Sequence, residues 1–392
     1  MFSRFLFQQI ESQLYKGKVI VVYGARRVGK TTVCKEILKS EKNKKTRYLN
    51  AELLSVREAF SQQNEVNIRN FLGDVDLLVI DEAQYIGNVG LILKILVDTY
   101  PNIQIIATGS SSFDLVNKIG EPLTGRARHF SMFPLAVSEV CNDAISAQSM
   151  LEKILIYGLY PSVFKTNDYQ ESISELEEIV SGYLYKDILA FESLKHADKI
   201  VTLLQLLAFQ VGSEVSYIEL GKSLRMDRAT VEKYVDLLEK CFVIFRLKSF
   251  SRNIRKELTK SCKIYFYDLG IRNSLIRNYN PLTLRNDIGA LWENFCILER
   301  MKQNQKARIN PNIYFWRHYN GQEIDYLEEY GGRIQAFEFK YSPNQRVKAP
   351  KIFMETYNPE FHVINRENWY RLEDRVNETN SEKSETEERR VM

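Results

Sequence analysis

Eight residues, Gly24-Ala-Arg-Arg-Val-Gly29-Lys30-Thr31, set two glycines, a lysine and a hydroxyl at the spacing GxxxxGK[ST]. Glycines let a backbone fold around phosphates with several N–H groups pointing inward, and a helix starting at the loop adds a partial positive charge. In such a loop Lys30 contacts the β- and γ-phosphates, Thr31 holds Mg²⁺ and Thr32 reaches the α-phosphate. Arg26 and Arg27 contact nucleotide or a neighbouring subunit, or are solvated charges. The matching half is Leu77-Leu-Val-Ile-Asp81-Glu82, an apolar run ending in two carboxylates. Asp81 is expected to hold Mg²⁺ through water, and Glu82 to orient or deprotonate the attacking water. The pair of motifs predicts Mg²⁺-dependent ATP hydrolysis rather than nucleotide binding alone. Thr108 and Ser110, after another apolar run, are placed to sense the γ-phosphate or the water, or else to satisfy their own loop. Arg126 and Arg128 are candidates to stabilise the transferring phosphoryl group in a neighbour's site, the alternative being a surface pair beside an edge strand.

Two further constellations lie downstream. In Ser216–Lys240 a short helical pattern is followed by Asp227, a good N-cap, and a second helix burying Val231, Val235 and Leu238. Arg228, Thr230, Lys233 and Tyr234 then read as outward, groove-facing positions. The stretch from Arg246 to Lys263 holds seven bases, including Lys248, Arg252, Arg255 and Lys256, against Glu257 alone. It suits a phosphate backbone, although winged helices also serve as protein-binding modules. Nearer the C-terminus, Asp325 and Glu338-Phe-Lys340 lie on two expected strands joined at Gly331-Gly332, with Glu293 on the preceding helix. Glu338 and Lys340, two apart, share a sheet face. Carboxylates gathered this way can bind Mg²⁺ and activate water against a phosphodiester; the bland alternative is a half-exposed strand pair with surface charges.

The elements that must position these residues alternate. Continuous apolar runs at Lys18–Tyr23, Leu77–Ile80 and Ile103–Ala107, with Thr46–Asn50 and Arg128–Met132, read as strands of a doubly wound parallel sheet separated by helices such as Val89–Thr99. The expected layout is a nucleotide-binding core at 1–133, a helical lid at 134–198, a winged helix at 199–262, an α/β domain at 263–372 and a disordered charged tail at 373–392. The chain of 392 residues is 44% hydrophobic and 27% charged, ordinary for globular protein. No apolar run reaches eighteen residues, and five scattered cysteines lack metal-ligand spacing, so a cytoplasmic protein with reduced thiols is expected. Net charge is +4, and the tail carries −3, leaving +7 on the remainder.

The sequence resembles a family of prokaryotic AAA-type (ASCE-type) P-loop ATPases that join a winged helix to a C-terminal domain similar to PD-(D/E)xK nucleases. The phrases that carry the resemblance are the phosphate loop, Val79-Ile-Asp-Glu-Ala-Gln84, Thr108-Gly-Ser-Ser, Gly158-Leu-Tyr-Pro161, Tyr267-Asp-Leu-Gly270, Gly289-Ala-Leu-Trp-Glu-Asn294, Gly321-Gln-Glu-Ile-Asp325 and Phe337-Glu-Phe-Lys340. It covers the chain to about Leu372 and departs mildly at Ala25, where proline is frequent. The resemblance implies a restriction-endonuclease-like C-terminal fold with Asp325, Glu338 and Lys340 as a nuclease-type trio, joined by Glu293. It suggests ATP-coupled work on duplex or branched DNA, such as Holliday junctions, in repair, recombination or defence. The leading expectation is a DNA motor or remodeller, assembled as a homo-oligomeric ring of six. The alternatives are an ATP-gated Mg²⁺-dependent DNA nuclease, and a signalling switch that uses ATP turnover to toggle a protein interface.

Overall fold

A computed structural model describes residues 2–61, 64–109, 123–184, 197–251 and 262–372. Ser110, Arg252, Arg255, Lys256 and the 373–392 tail, all given roles above, lie outside the described residues. The chain divides into two compact units, one of residues 1–135 with 236–243 and the other of 136–235 with 244–392.

The first unit is built on five parallel strands, β1 (Val19–Tyr23), β2 (Thr46–Asn50), β3 (Leu77–Asp81), β4 (Gln104–Gly109) and β5 (Ala127–Ser131). Their order is β2-β3-β4-β1-β5. The three central strands, β3, β4 and β1, are the most apolar of the five, as strands covered on both faces require, with Gln104, Thr108 and Asp81 at or near their ends. Every residue of β3 and β4 is buried, whereas β2 and β5 at the edges are partly open. Helices Leu54–Ser61 and Glu65–Leu72, which no sequence pattern announced, close one face through Phe60, Ile68 and Leu72. The helix Val89–Thr99 adds Ile92, Leu93 and Leu96 to the same core. The phosphate loop leaves the carboxyl end of β1 and enters the helix Lys30–Ser40.

The second unit begins with helices Val137–Val140, Ala144–Tyr157, Pro161–Lys165 and Tyr169–Ile179. Helices Ala197–Phe209 and Tyr217–Leu224 follow, and the helix Arg228–Lys240 begins in this unit and ends in residues of the first. The unit also contains one seven-stranded sheet. Its strands are β6 (Glu214–Val215), β7 (Ile244–Ser249), β8 (Cys262–Phe266), β9 (Asn312–Arg317), β10 (Glu323–Tyr330), β11 (Arg333–Phe339) and β12 (Glu360–Ile364), ordered β12-β11-β10-β9-β7-β8-β6. The sheet therefore runs across the boundary expected between 262 and 263. The β8 strand pairs with β7 as its antiparallel partner, and β7 in turn pairs with β9 through Lys248↔Tyr314 and Ser249↔Phe315. The edge of β7 is thus shared rather than left open, which removes an aggregation-prone edge. The long helix Ile288–Lys306 buries Leu291, Trp292 and Phe295. A second core of Phe250, Trp316, Ile324, Leu327, Ile334, Ala336 and Phe353 fills the space beneath β9, β10 and β11.

Two phrases of the sequence meet in this unit. The Asp268 carboxylate caps the helix Leu269–Leu275 by accepting from the Ile271 N–H, and it also accepts from the Leu159 N–H at 2.7 Å. Burial pushes that carboxyl up to about 6, against the pull of the backbone donors. The Gly158 and Gly270 phrases are therefore packing devices that join two helical segments. Among the described residues no helix is long and apolar enough to cross a membrane.

Candidate functional site

The phosphate loop is held from behind. Gly24 packs so closely on the strand-end backbone that a Cβ there would stand 2.2 Å from the Met132 carbonyl oxygen. Arg4, buried ahead of the first helix, donates to the Val28 carbonyl at 2.9 Å and to the Phe133 carbonyl at 2.6 Å. Lys30 is buried, and its Nζ donates to the carbonyls of Gly24 at 2.9 Å and Ala25 at 2.8 Å, so the ammonium lies inside the curve of the loop. The helix that Lys30 opens has no side-chain cap at Gly29, which suits its first turn to an anion. Thr31 follows, half-buried, with Thr32 exposed beside it and Arg27 exposed in the loop.

The acidic half stands at the carboxyl end of β3, one strand removed from β1. The Thr31 hydroxyl donates to Asp81 Oδ2 at 2.7 Å, joining loop to strand. Asp81 is 3% exposed and accepts two further hydroxyls, Tyr48 on Oδ2 at 2.5 Å and Thr108 on Oδ1. Burial, together with Asp81, pushes the Tyr48 phenol above its ordinary range, so it stays a donor. Thr108 also accepts from the Glu82 N–H at 3.1 Å. Glu82 has a left-handed backbone (φ 53°), which turns the chain sharply after β3, and its Oε2 accepts from the Gln84 amide at 2.5 Å.

This geometry places one expected residue and adds three. Thr108, expected to sense phosphate or water or else to satisfy its own loop, is fully buried, donating to Asp81 and accepting from the Glu82 N–H. The register explains this, since Ile80 pairs with Ala107 and places the next residues side by side. Tyr48 and Arg4 carry no motif that marks them in the sequence, and Gln84 closes the phrase Val79–Gln84 without a role assigned to it there. Tyr48 lies on β2 two residues before Asn50, which pairs with Asp81, so it shares the face of that carboxylate. That parity was readable, but the register was not.

Arg126 and Arg128 lie apart from this cluster. In the β1–β5 pairing Val19 meets Ala127 at one end and Tyr23 meets Ser131 at the other. Arg126 therefore stands at the amino end of the sheet, opposite the phosphate loop. Its guanidinium pairs with Asp98 at 2.6 Å, and Arg128 is exposed on the edge strand.

Residues 16–141 match a family described as an AAA domain. Residues 16–141 are thus similar to AAA domains. Two further families, each described as a domain of unknown function, match residues 148–282 and 288–381. An uncharacterized protein of Mycobacterium tuberculosis is 27% identical over 355 residues, covering 88% of this chain and 74% of that protein. One from Methanocaldococcus jannaschii is 24% identical over 372 residues, covering 89% and 80%. Among solved structures, a Walker-type ATPase of Pyrococcus abyssi aligns with 70% of this chain and 96% of its own at 13% identity and a TM-score of 0.47. AMPPCP-bound DnaA from Aquifex aeolicus aligns with 60% and 86% at 16% identity and a TM-score of 0.29.

In the AAA domain the donor set fits a triphosphate and a divalent ion. A buried ammonium sits within a glycine loop, an uncapped helix start follows it, and a hydroxyl–carboxylate pair stands at the end of β3.

The other expected sites stand differently. Tyr234 is buried at 3% exposure, not outward. With Val231, Val235 and Leu238 it completes an i, i+3, i+4, i+7 stripe, a spacing present in the sequence. Thr230 is half-buried, and its N–H and hydroxyl both donate to the capping Asp227 carboxylate, at 2.8 Å and 2.7 Å. Arg228, Lys233 and Lys248 are exposed, as expected. Lys263, counted above with the basic stretch, points inward and is 4% exposed.

Of the residues expected at the second Mg²⁺ site, Asp325 and Glu338 meet at Lys340, and Glu293 is tied to Lys263. Among the described residues no group of three or more His, Cys, Asp or Glu side chains is placed to hold a metal. The carboxylates are tied to lysines instead. Lys340 pairs with Glu338 at 2.6 Å and Asp325 at 3.4 Å, while Lys263 pairs with Glu293 at 3.0 Å and also with Glu323.

Proposed function

We propose that the chain hydrolyses ATP at the AAA domain and uses the cycle to act on DNA. The observation that carries hydrolysis is the link from Thr31 to Asp81, which brings the phosphate loop and the acidic strand end into one site with Glu82 next in sequence. Lys30 would hold the β- and γ-phosphates, and the loop N–H groups the remaining phosphate oxygens. A Mg²⁺ ion, held by Thr31 and through water by Asp81, would supply neutralising charge on those oxygens. Glu82 accepts a proton from the attacking water, whose oxygen bonds to the γ-phosphorus as the bond to the β–γ bridging oxygen breaks. Tyr48 and Thr108 hold the Asp81 carboxylate in one orientation. Gln84 holds the Glu82 side chain, so Glu82 must exchange that partner for water before it works.

Action on DNA rests on a narrower base. Three helices followed by the β7–β8 pair support a winged-helix reading, with Arg228 and Lys233 exposed on the third helix and Lys248 on the first strand of the pair. Arg126, far from its own phosphate loop, would serve a neighbour's site in a ring of identical subunits, releasing Asp98 to do so.

The test is ATP turnover measured with duplex, single-stranded and four-way-junction DNA, with binding followed against salt. The proposal expects stimulation by at least one form. It also expects Arg228→Ala with Lys233→Ala to lower the salt slope by about one for each phosphate no longer neutralised. No binding at low salt and no stimulation would remove DNA as the substrate and favour a protein partner.

A further inference from the structure

The structure assigns Lys263 as the resident cation of the buried carboxylate cluster, occupying with Lys340 the role that a divalent metal ion would otherwise fill. Four carboxylates meet there from three elements: Glu293 from the long helix, Glu323 and Asp325 from β10, and Glu338 from β11. Two ammonium groups answer them. The Lys263 side chain is 5% exposed and reaches from β8 to Glu293 Oε1 at 3.0 Å and to Glu323. The Tyr265 hydroxyl, from the same strand, donates to the same Glu293 oxygen, so the oxygen facing β8 already carries two donors. Lys340 is bonded to Glu338 and Asp325, and the Phe339 N–H also donates to Asp325 at 2.8 Å.

Each acid that a metal would need has an ammonium partner, although Glu338 Oε2 is buried without a hydrogen bond, and the two lysines together bring the same charge as one divalent ion. Mg²⁺ demands oxygens converging at about 2.0–2.1 Å in near-octahedral geometry. To reach Glu293 it would have to displace a tethered ammonium, whose effective concentration is high because it cannot diffuse away. Burial works against the Lys263 charge, but Glu293, Asp325 and Glu323 outweigh it and hold the ammonium above the ordinary lysine range. The phrases Gly321-Gln-Glu-Ile-Asp325 and Phe337-Glu-Phe-Lys340 thus build an ion-paired joint. It ties β8, the strand paired with β7, to the long helix and to β10, without a metal-dependent cleavage centre.

The experiment uses the full chain carrying Asp81→Asn, so that the ATP site contributes no metal, with Mn²⁺ binding read by electron paramagnetic resonance without nucleotide. No Mn²⁺ binding below millimolar concentration, and no nicking of supercoiled plasmid with Mg²⁺ or Mn²⁺, are expected. Adding Lys263→Met is expected to tighten Mn²⁺ binding at least tenfold, with the gain lost again on Asp325→Asn. Micromolar Mn²⁺ binding or plasmid nicking with Lys263 intact, abolished by Asp325→Asn, would overturn the assignment. So would a Lys263→Met protein of unchanged circular dichroism that gains no Mn²⁺. Should Lys263→Met not fold, the comparison of the Asp81→Asn protein with and without Asp325→Asn decides alone.

Discussion

Asp81 illustrates how much of an ATP site lies outside its motifs. Three hydroxyls converge on this carboxylate, from Thr31, Tyr48 and Thr108, and only Thr31 belongs to the phosphate loop. A hydrogen bond to a charged group contributes about 1.5–3 kcal/mol. Tyr48→Phe should therefore lower turnover about tenfold, displace the Mg²⁺ midpoint and lower the melting temperature by a few degrees, leaving nucleotide affinity nearly unchanged. An unaltered Mg²⁺ titration would show Tyr48 to be packing only. Lys30→Ala removes the ammonium that the Gly24 and Ala25 carbonyls hold in place. Loss of nucleotide binding is expected, and calorimetry with an unhydrolysable analogue would show it. Gly24→Ala should have the same effect by another route, because its methyl group would meet the Met132 carbonyl and push the loop aside.

At the scale of elements, the apolar runs that form β1, β3 and β4 and the helix Val89–Thr99 were legible because burial on both faces leaves an unambiguous composition. The C-terminal strands were legible too, each bounded by its turn residues. What the sequence did not show was pairing. The β7–β9 contact joins segments more than sixty residues apart, and nothing in either strand specifies the other. Lys263 reads as one more base of a basic stretch until the β7–β8 register turns it inward. Tyr234 was a different kind of miss, since its place in the buried stripe was readable from spacing. The packing of these elements can be tested directly. A methyl group at Gly270 would stand 2.0 Å from the Tyr157 carbonyl oxygen, so Gly270→Ala should destabilise the second unit by about 1–3 kcal/mol in urea unfolding.

The buried acids of that unit set its response to pH. Burial first, and then Asp325, raise Glu293 from 4.5 to about 7 and Glu338 from 4.5 to about 6, and burial raises Asp268 from 3.8 to about 6. A carboxyl raised on folding contributes stability that is complete below its unfolded value and is lost as pH rises through its folded value. The melting temperature should fall as pH rises from about 4 to about 7, and Glu293→Gln should flatten that fall. A melting temperature that rises over this interval would contradict the assignment of these groups. Asp287 works in the opposite direction. Held near 2 by Arg285 and Arg272 against its burial, it supports the fold above the unfolded value of 3.8, and that support is lost only as pH falls toward 2.

At the scale of the molecule, neither Arg126 nor Arg128 belongs to the cluster of Lys30, Thr31, Asp81 and Glu82 proposed to bind nucleotide. Arg126 and Arg128 stand at or near the amino end of β5, away from the loop, so any part they play in turnover requires a second copy of the chain. Arg126→Ala should then reduce turnover without loss of nucleotide binding. Mixing it with Lys30→Ala subunits should restore part of the rate, because each supplies what the other lacks. A monomeric enzyme of full activity would end the ring proposal while leaving the site intact.

The most direct measurement is steady-state ATP turnover at saturating ATP and Mg²⁺ for the wild-type chain and for Glu82→Gln, with bound nucleotide quantified in both. Turnover by the wild type, with Glu82→Gln binding ATP equally well and hydrolysing it at least about a hundredfold more slowly, is the expected result. Equal turnover by the two proteins, or none by a wild type that binds ATP, would contradict hydrolysis at this site.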